Sequence, residues 1–309
     1  MRPDNPASPG DFPPNLLVNA DDFGLDPRIS LAIARCAREG LIHSLSAVPF
    51  RDDFHSDLLR ELLADCPDVK VGAHLCLVEF PYRLSEGAPA GPDGAPPADF
   101  HAFARLYLRG RMDPDWAYRE WKAQLEALAE RLGGAGRIAH LDSHQHLHLL
   151  PGLWGMARRL QQEFGIPRLR VPYESLTRSL FHRFPFGLAM QALAALRRRG
   201  GGEGFIGFFT STSFTIEGNR TALRNVAARP GTRFELMVHP ALPSDGPDAP
   251  PHGTAHPSPN ASPATARDSA AREAAGRPGI DRPFRTRIRA GQEREIRELI
   301  RLRGFYRTQ

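Results

Sequence analysis

Cysteine is scarce in this chain: Cys36, Cys66 and Cys76 are the only three in 309 residues. Three dispersed thiols cannot build a disulfide framework, and an odd number fits a reducing compartment. Long apolar runs are missing too. The best stretch, 186–196, is interrupted by Gln191 and falls well short of the roughly 20 residues that span a bilayer. The opening MRPDNPASPGDFPPN has proline and aspartate where a signal peptide needs an apolar segment, so export by that route is not expected. These absences predict a cytoplasmic protein with no transmembrane segment. Lysine is nearly absent: with only Lys70 and Lys122, 38 of the 40 cations are arginine. The net charge of +5 sits in the tail, where from Asp281 onward nine arginines face four acids. The rest of the chain sums to zero, and no nucleic-acid motif accompanies the basicity, so nucleic acid is excluded as an expected partner. There is no Walker motif and no G-x-S-x-G. Gly202-Glu-Gly204-Phe-Ile-Gly207 matches G-x-G-x-x-G, but it follows a helix candidate and runs into a strand, the reverse of a dinucleotide fingerprint.

What is present is a regular alternation. Strand candidates lie at 16–20, 42–50, 69–77, 137–142, 168–172, 205–212 and 234–239. Helix candidates fall at 29–39, 56–64, 116–132, 153–164, 188–199 and 221–228. Strands alternating with helices point to βα units and a parallel sheet. About seven units in some 225 residues predict an α/β fold, a parallel βα barrel of about seven strands, TIM-like; an open doubly wound sheet is the alternative. The 28 glycines and 29 prolines are unevenly spread. They crowd 241–283, a Pro/Ala/Ser-rich stretch with almost no large apolar residues, which is expected to be a disordered insertion. The resulting map is a tail over 1–14, a catalytic barrel over 15–240, the insertion over 241–283 and a basic helix over 284–309. The Gly/Pro-rich segment 79–99 reads as a long loop over the face where barrels build active sites.

Four places carry chemistry. The first strand ends in Asn19-Ala20-Asp21-Asp22-Phe23-Gly24. If the chain turns there, both carboxylates face one site, one to bind a metal and the other to handle a proton. The competing reading is a turn before a helix starting at Asp26-Pro27-Arg28. His140-Leu-Asp142-Ser-His144-Gln-His146-Leu-His148 puts four imidazoles and a carboxylate on alternating positions. Such clusters are metal-site candidates, with Asp142 suited to orienting a ligating histidine; otherwise some of these histidines cap a helix or bond buried carbonyls. His74, in Gly72-Ala-His74-Leu-Cys76-Leu, is either a core histidine or a third group at a strand end, and Cys76 suits packing. His239, in Glu235-Leu-Met-Val-His239-Pro240, is a candidate general acid or ligand, or a histidine fixed by the proline turn. Arg170 occupies a similar strand-end position, where it would meet an anionic or polar substrate group or serve as surface charge.

Taken together and in order, NADDFG, GAHLCL, HLDSHQHLH and ELMVHP resemble the YdjC/ChbG family of carbohydrate deacetylases, including relatives involved in hopanoid lipid biosynthesis. The match runs over about 15–240. The resemblance implies a βα barrel that removes acetyl groups from N-acetylated sugars or glycolipids with one divalent metal ion, zinc or magnesium. It implies Asp22, His74 and His144 as metal ligands, Asp21 as general base and His239 as general acid. It leaves room for a homodimer. The Pro-rich segment and the arginine-rich tail depart from the compact family pattern. Hydrolysis of another amide or a phosphate ester, and sugar or lipid binding without turnover, are the competing functions.

Overall fold

The computed structural model describes residues 12–50, 52–89, 96–176, 185–198, 203–211, 213–243 and 282–307, with backbone only at 185–186, 282–291, 293 and 307. The elements run β1 (Leu16–Phe23), α1 (Pro27–Arg38), β2 (Ser44–Ala47), α2 (Asp53–Asp65), β3 (Lys70–Leu75), α3 (Phe100–Leu108) and α4 (Pro114–Leu132). They continue with β4 (Ile138–Ser143), α5 (Leu153–Glu163), α6 (Pro185–Arg197), β5 (Glu203–Ile206), α7 (Ile216–Ala228), β6 (Arg233–Val238) and α8 (Arg282–Arg307). All strand pairs are parallel, in the order β4-β3-β2-β1-β6-β5.

The expected seven-stranded barrel is corrected on two points. The sheet has six strands, curled into a half-barrel, and no ladder joins β4's side to β5 among the described residues. The seventh candidate, 168–172, forms a single parallel bridge from Leu169 to Leu141. Pro167 and Pro172 bracket it and have no N–H to give, so the ladder cannot extend.

Each strand alternates, but in an unusual sense. The positions facing the helices are apolar: Leu45 and Ala47, Val71, Ala73 and Leu75, Phe234, Leu236 and Val238 all join the main hydrophobic cluster. Most positions facing the concave side are polar, among them Ser46, His74, His140, Asp142 and Glu235, all buried, and Phe205 and Met237 beside them contact Arg170. A closed barrel normally fills that space with aliphatic side chains; here it is filled by a hydrogen-bonded network.

Helix starts follow local chemistry. Asp26, Asp52, Asp99, Asp113 and Thr215 each accept a backbone N–H as N-cap, worth about 1 kcal/mol apiece. Pro27 and Pro114 occupy first-turn positions, where a missing N–H costs nothing. Helix α3 was not foreseen, since its sequence lies directly after the segment read as loop. The domain boundaries also shift. Phe12, within the expected tail, and Ala241 and Leu242, within the expected insertion, belong to the core. Ile296, Leu299 and Leu302 of α8 join the same cluster, so the C-terminal helix completes the main core. The remainder of the tail and of the insertion, 1–11 and 244–281, lies outside the described residues.

Candidate metal centre

The site is built at the C-terminal ends of the strands. Along β1, residues two apart share a face, so Asn19 and Asp21 both point into the concave side, where Asn19 Nδ2 donates to Asp21 Oδ1 at 2.6 Å. Asp22 should then face the helices. It does not, because its backbone turns to a φ of 74°, and the second carboxylate swings round beside the first. On β3 and β4, His74 and Asp142 are register partners; His74 Nδ1 meets Asp142 Oδ1 at 2.6 Å. His144 is the first residue past β4, in a short 3-10 segment.

These three elements bring the expected ligand set together. His144 Nδ1 lies 2.9 Å and His74 Nε2 3.2 Å from Asp22 Oδ1. One ligand atom from each of Asp22, His74 and His144 fits within a 4.8 Å span, and all three residues are buried. The electrostatics fit a cation. Asp21, Asp22, Asp142 and Glu235 are buried, while Arg170 is the one arginine or lysine buried among the described residues. Burial disfavours a charge on either histidine, yet Asp142 and Asp22 outweigh it at His74 and lift the imidazole to about 9. At His144, Asp22 and Glu79 lift it to about 10 against the same penalty. Protons are drawn to the very nitrogens that a divalent ion would take, and a metal displaces such protons. Burial likewise opposes ionisation of Asp22, but His144 and His74 hold it well below the usual carboxylate range.

Behind the ligands lies Arg170. Its NH1 and NH2 donate to the two oxygens of Asp21 at 2.6 and 2.8 Å, NH1 reaches Asp142 at 2.6 Å, and Nε reaches Glu235 at 2.8 Å. Ser46 Oγ donates to Asp142 Oδ2 at 2.8 Å and faces His140 Nε2 at 2.9 Å. Burial disfavours the Asp21 anion, and Arg170 more than compensates, keeping it below its ordinary range. Arg170 itself is 0% exposed, which overturns the surface-charge reading. A direct substrate contact would require its ion pairs to open.

The other candidates separate. His239 sits at the rim, its Nε2 4.0 Å from Asp22 Oδ2, and its Nδ1 is buried with no hydrogen-bond partner among the described residues. Burial lowers its pKa, with Asp22 pulling the other way. His140 and His148 bond within the protein, His148 Nε2 donating to the Arg170 carbonyl at 3.0 Å. His146 stacks on Phe208 with ring centroids 5.5 Å apart. Cys76 is packed away, its thiol bonded to the His74 carbonyl. Asp26 caps α1, so the helix start and the carboxylate pair coexist, where the sequence had posed them as competing readings.

Two acids escaped the sequence reading. Glu79 Oε2 lies 3.3 Å from His144 Nε2, and its Oε1 accepts from Gln145 at 2.6 Å; an acid just past β3 was the available clue. Glu295, from α8, accepts the backbone N–H of His239 and, at 3.1 Å, that of Phe214. Among the described residues, the non-glycine positions with positive φ are Asp22, Glu79, Gln145 and His146. Asp22, Glu79 and Gln145 belong to this site, and His146 directly follows Gln145. Backbone strain of this kind costs about 1–3 kcal/mol per residue and concentrates at functional sites.

The chain is similar to a carbohydrate deacetylase of Brevibacillus brevis, 28% identical over 232 residues, 73% of this chain and 81% of the relative. It is similar to the Homo sapiens carbohydrate deacetylase at 29% over 268 residues, covering 76% and 79%. The fold matches a crystal structure from Enterococcus faecalis V583 of a protein described as a candidate for cellobiose-phosphate cleavage, with a TM-score of 0.57, 21% identity and 94% coverage of both chains. The model of the YdjC-like protein family matches residues 15–275, and the chain belongs to that family.

Proposed function

We propose that this protein is a metal-dependent deacetylase that hydrolyses the N-acetyl group of an N-acetylated sugar or glycolipid in the cytoplasm. The observation that carries this reading is the convergence of Asp22, His74 and His144 at strand ends with Asp21 beside them, in a family whose named relatives are carbohydrate deacetylases. Free cysteines at 36, 66 and 76 suit the reducing location. Asp22, His74 and His144 would hold one divalent ion. Two imidazoles favour zinc, while a carboxylate and water leave magnesium compatible. When bound, the ion would polarise the amide carbonyl and acidify water.

The chain's own groups do the rest. Asp21, ionised and clamped by Arg170 and Asn19, takes the proton of the attacking water as general base. His239 in its protonated form supplies a proton to the departing amine as the C–N bond breaks; burial lowers its pKa, so that form is the minor one in the resting site and the stronger acid. Arg170, expected from sequence to bind substrate, is assigned instead to positioning Asp21. The test is metal analysis of the purified protein followed by acetate release across N-acetylated glycans, with phosphate esters as the counter-screen. His144→Ala should lower metal content and abolish turnover. Full occupancy in that variant would overturn the ligand set, and phosphate release without acetate release would overturn the reaction.

A further inference from the structure

We propose that the opposite, N-terminal face of the half-barrel carries an anion site for a phosphate-bearing small molecule, separate from the metal centre. A cavity of about 400 Å³ opens there, lined among others by Phe12, His43, Lys70, His140, Arg168 and Arg233. Lys70 opens β3, Arg233 opens β6 and Arg168 precedes the bridge beside β4. Three cations from separate parts of the sheet thus surround one space, and no aspartate or glutamate lines it among the described residues. Apart from the tail helix the chain has no net positive charge, so this concentration is local. Like charges held round one cavity repel each other until an anion neutralises them.

The cations are not consumed by the fold. Lys70 and Arg233 are exposed and make no ion pair among the described residues. Arg168 pairs with Glu235 through one terminal nitrogen, while its Nε–H is buried with no hydrogen-bond partner among the described residues. Accepting the Val18 N–H at 3.0 Å on Nδ1 leaves the ring proton of His43 on Nε2, a further donor. Arginine and lysine are the usual phosphate binders, and the space exceeds a bare ion, with Phe12 and Leu16 available to an organic part. The cavity shares a wall with the metal centre, since His140 also bonds Ser46.

The lysine count makes a direct test available. Lys70 and Lys122 are the only lysines, and Lys122 lies on α4, paired with Glu163. Amine acylation followed by peptide mass spectrometry therefore reads the cavity at Lys70 against an internal control. Inorganic phosphate, with ionic strength matched by sodium chloride, should slow Lys70 acylation about tenfold at ten times its dissociation constant. The Lys122 rate should stay within about twofold, because with ionic strength matched the screening of its surface ion pair is unchanged. Acetate at the same ionic strength should protect neither. Arg233→Ala, an exposed change at a strand start, should shift the Lys70 protection curve to about tenfold higher phosphate, or 1.4 kcal/mol. Equal slowing of both lysines, protection by acetate, or an unshifted curve in Arg233→Ala would each overturn the site.

Discussion

In the proposed reaction Asp21 takes a proton from water, which requires a carboxylate that is ionised and does not swing, and its neighbours arrange both. Arg170 grips its two oxygens and Asn19 holds one of them. Asp21→Asn should therefore retain metal while kcat falls by about 100-fold or more, the range of a lost general base; metal content and kcat on the same preparation check this. Loss of metal would instead exchange the roles of Asp21 and Asp22. His148 answers a different question. Its Nε2–H donates to the Arg170 carbonyl and its Nδ1 accepts from Ser143, so the buried ring is neutral and its pKa is lowered, chiefly by burial, to about 4. A folded pKa below the unfolded value of about 6.5 gives stability that is complete above pH 6.5 and drains away as pH falls toward 4. The loss should be on the order of 3 kcal/mol. Urea unfolding at pH 7 and pH 4.5 should show a larger loss of stability in the wild type than in His148→Asn, the difference being on the order of that amount; equal losses would refute it.

Helix α8 reaches the site through Glu295. Glu295 accepts two backbone N–H groups, one per oxygen, at the end of β6 and just before α7. In Glu295→Gln one of those oxygens becomes an NH2 group, leaving a buried donor unmatched at a cost of about 1–3 kcal/mol. His239, anchored by one of these bonds, should move, so kcat should drop with KM nearly unchanged; a stable variant of full activity would remove Glu295 from the site. Such a contact is not legible in sequence, because 56 positions separate Glu295 from His239 and no local pattern spans them. What was legible had a local cause. Helix α5 begins at the expected Leu153 because its apolar spacing sits close behind Pro151-Gly152. The convergence of Asp22, His74 and His144 was readable because each sits at the C-terminal end of an apolar strand or just past it. The pairing of His74 with Asp142 depends on the register of β3 against β4, and the missing seventh strand on two prolines whose effect is felt only when a ladder tries to form.

For the molecule as a whole, one core joins residues from Phe12 to Leu302. Most of 244–281 contributes no large apolar side chain in sequence, whereas Ala241 and Leu242 before it and Ile296 after it are core residues. Replacing 245–281 with a short flexible linker should leave folding and metal content intact, as circular dichroism and metal analysis would show. Removing Ala241 and Leu242 as well should destabilise the protein. An insoluble linker variant would mean the segment is packed structure. Thermal tolerance and catalysis also pull this chain in opposite directions. Glycine adopts positive φ freely, so a library selected only for surviving heat would find backbone relief at Glu79 and Gln145, where each gain removes a side chain that reaches toward His144. Selection for heat alone would then wear away the site while leaving the core untouched.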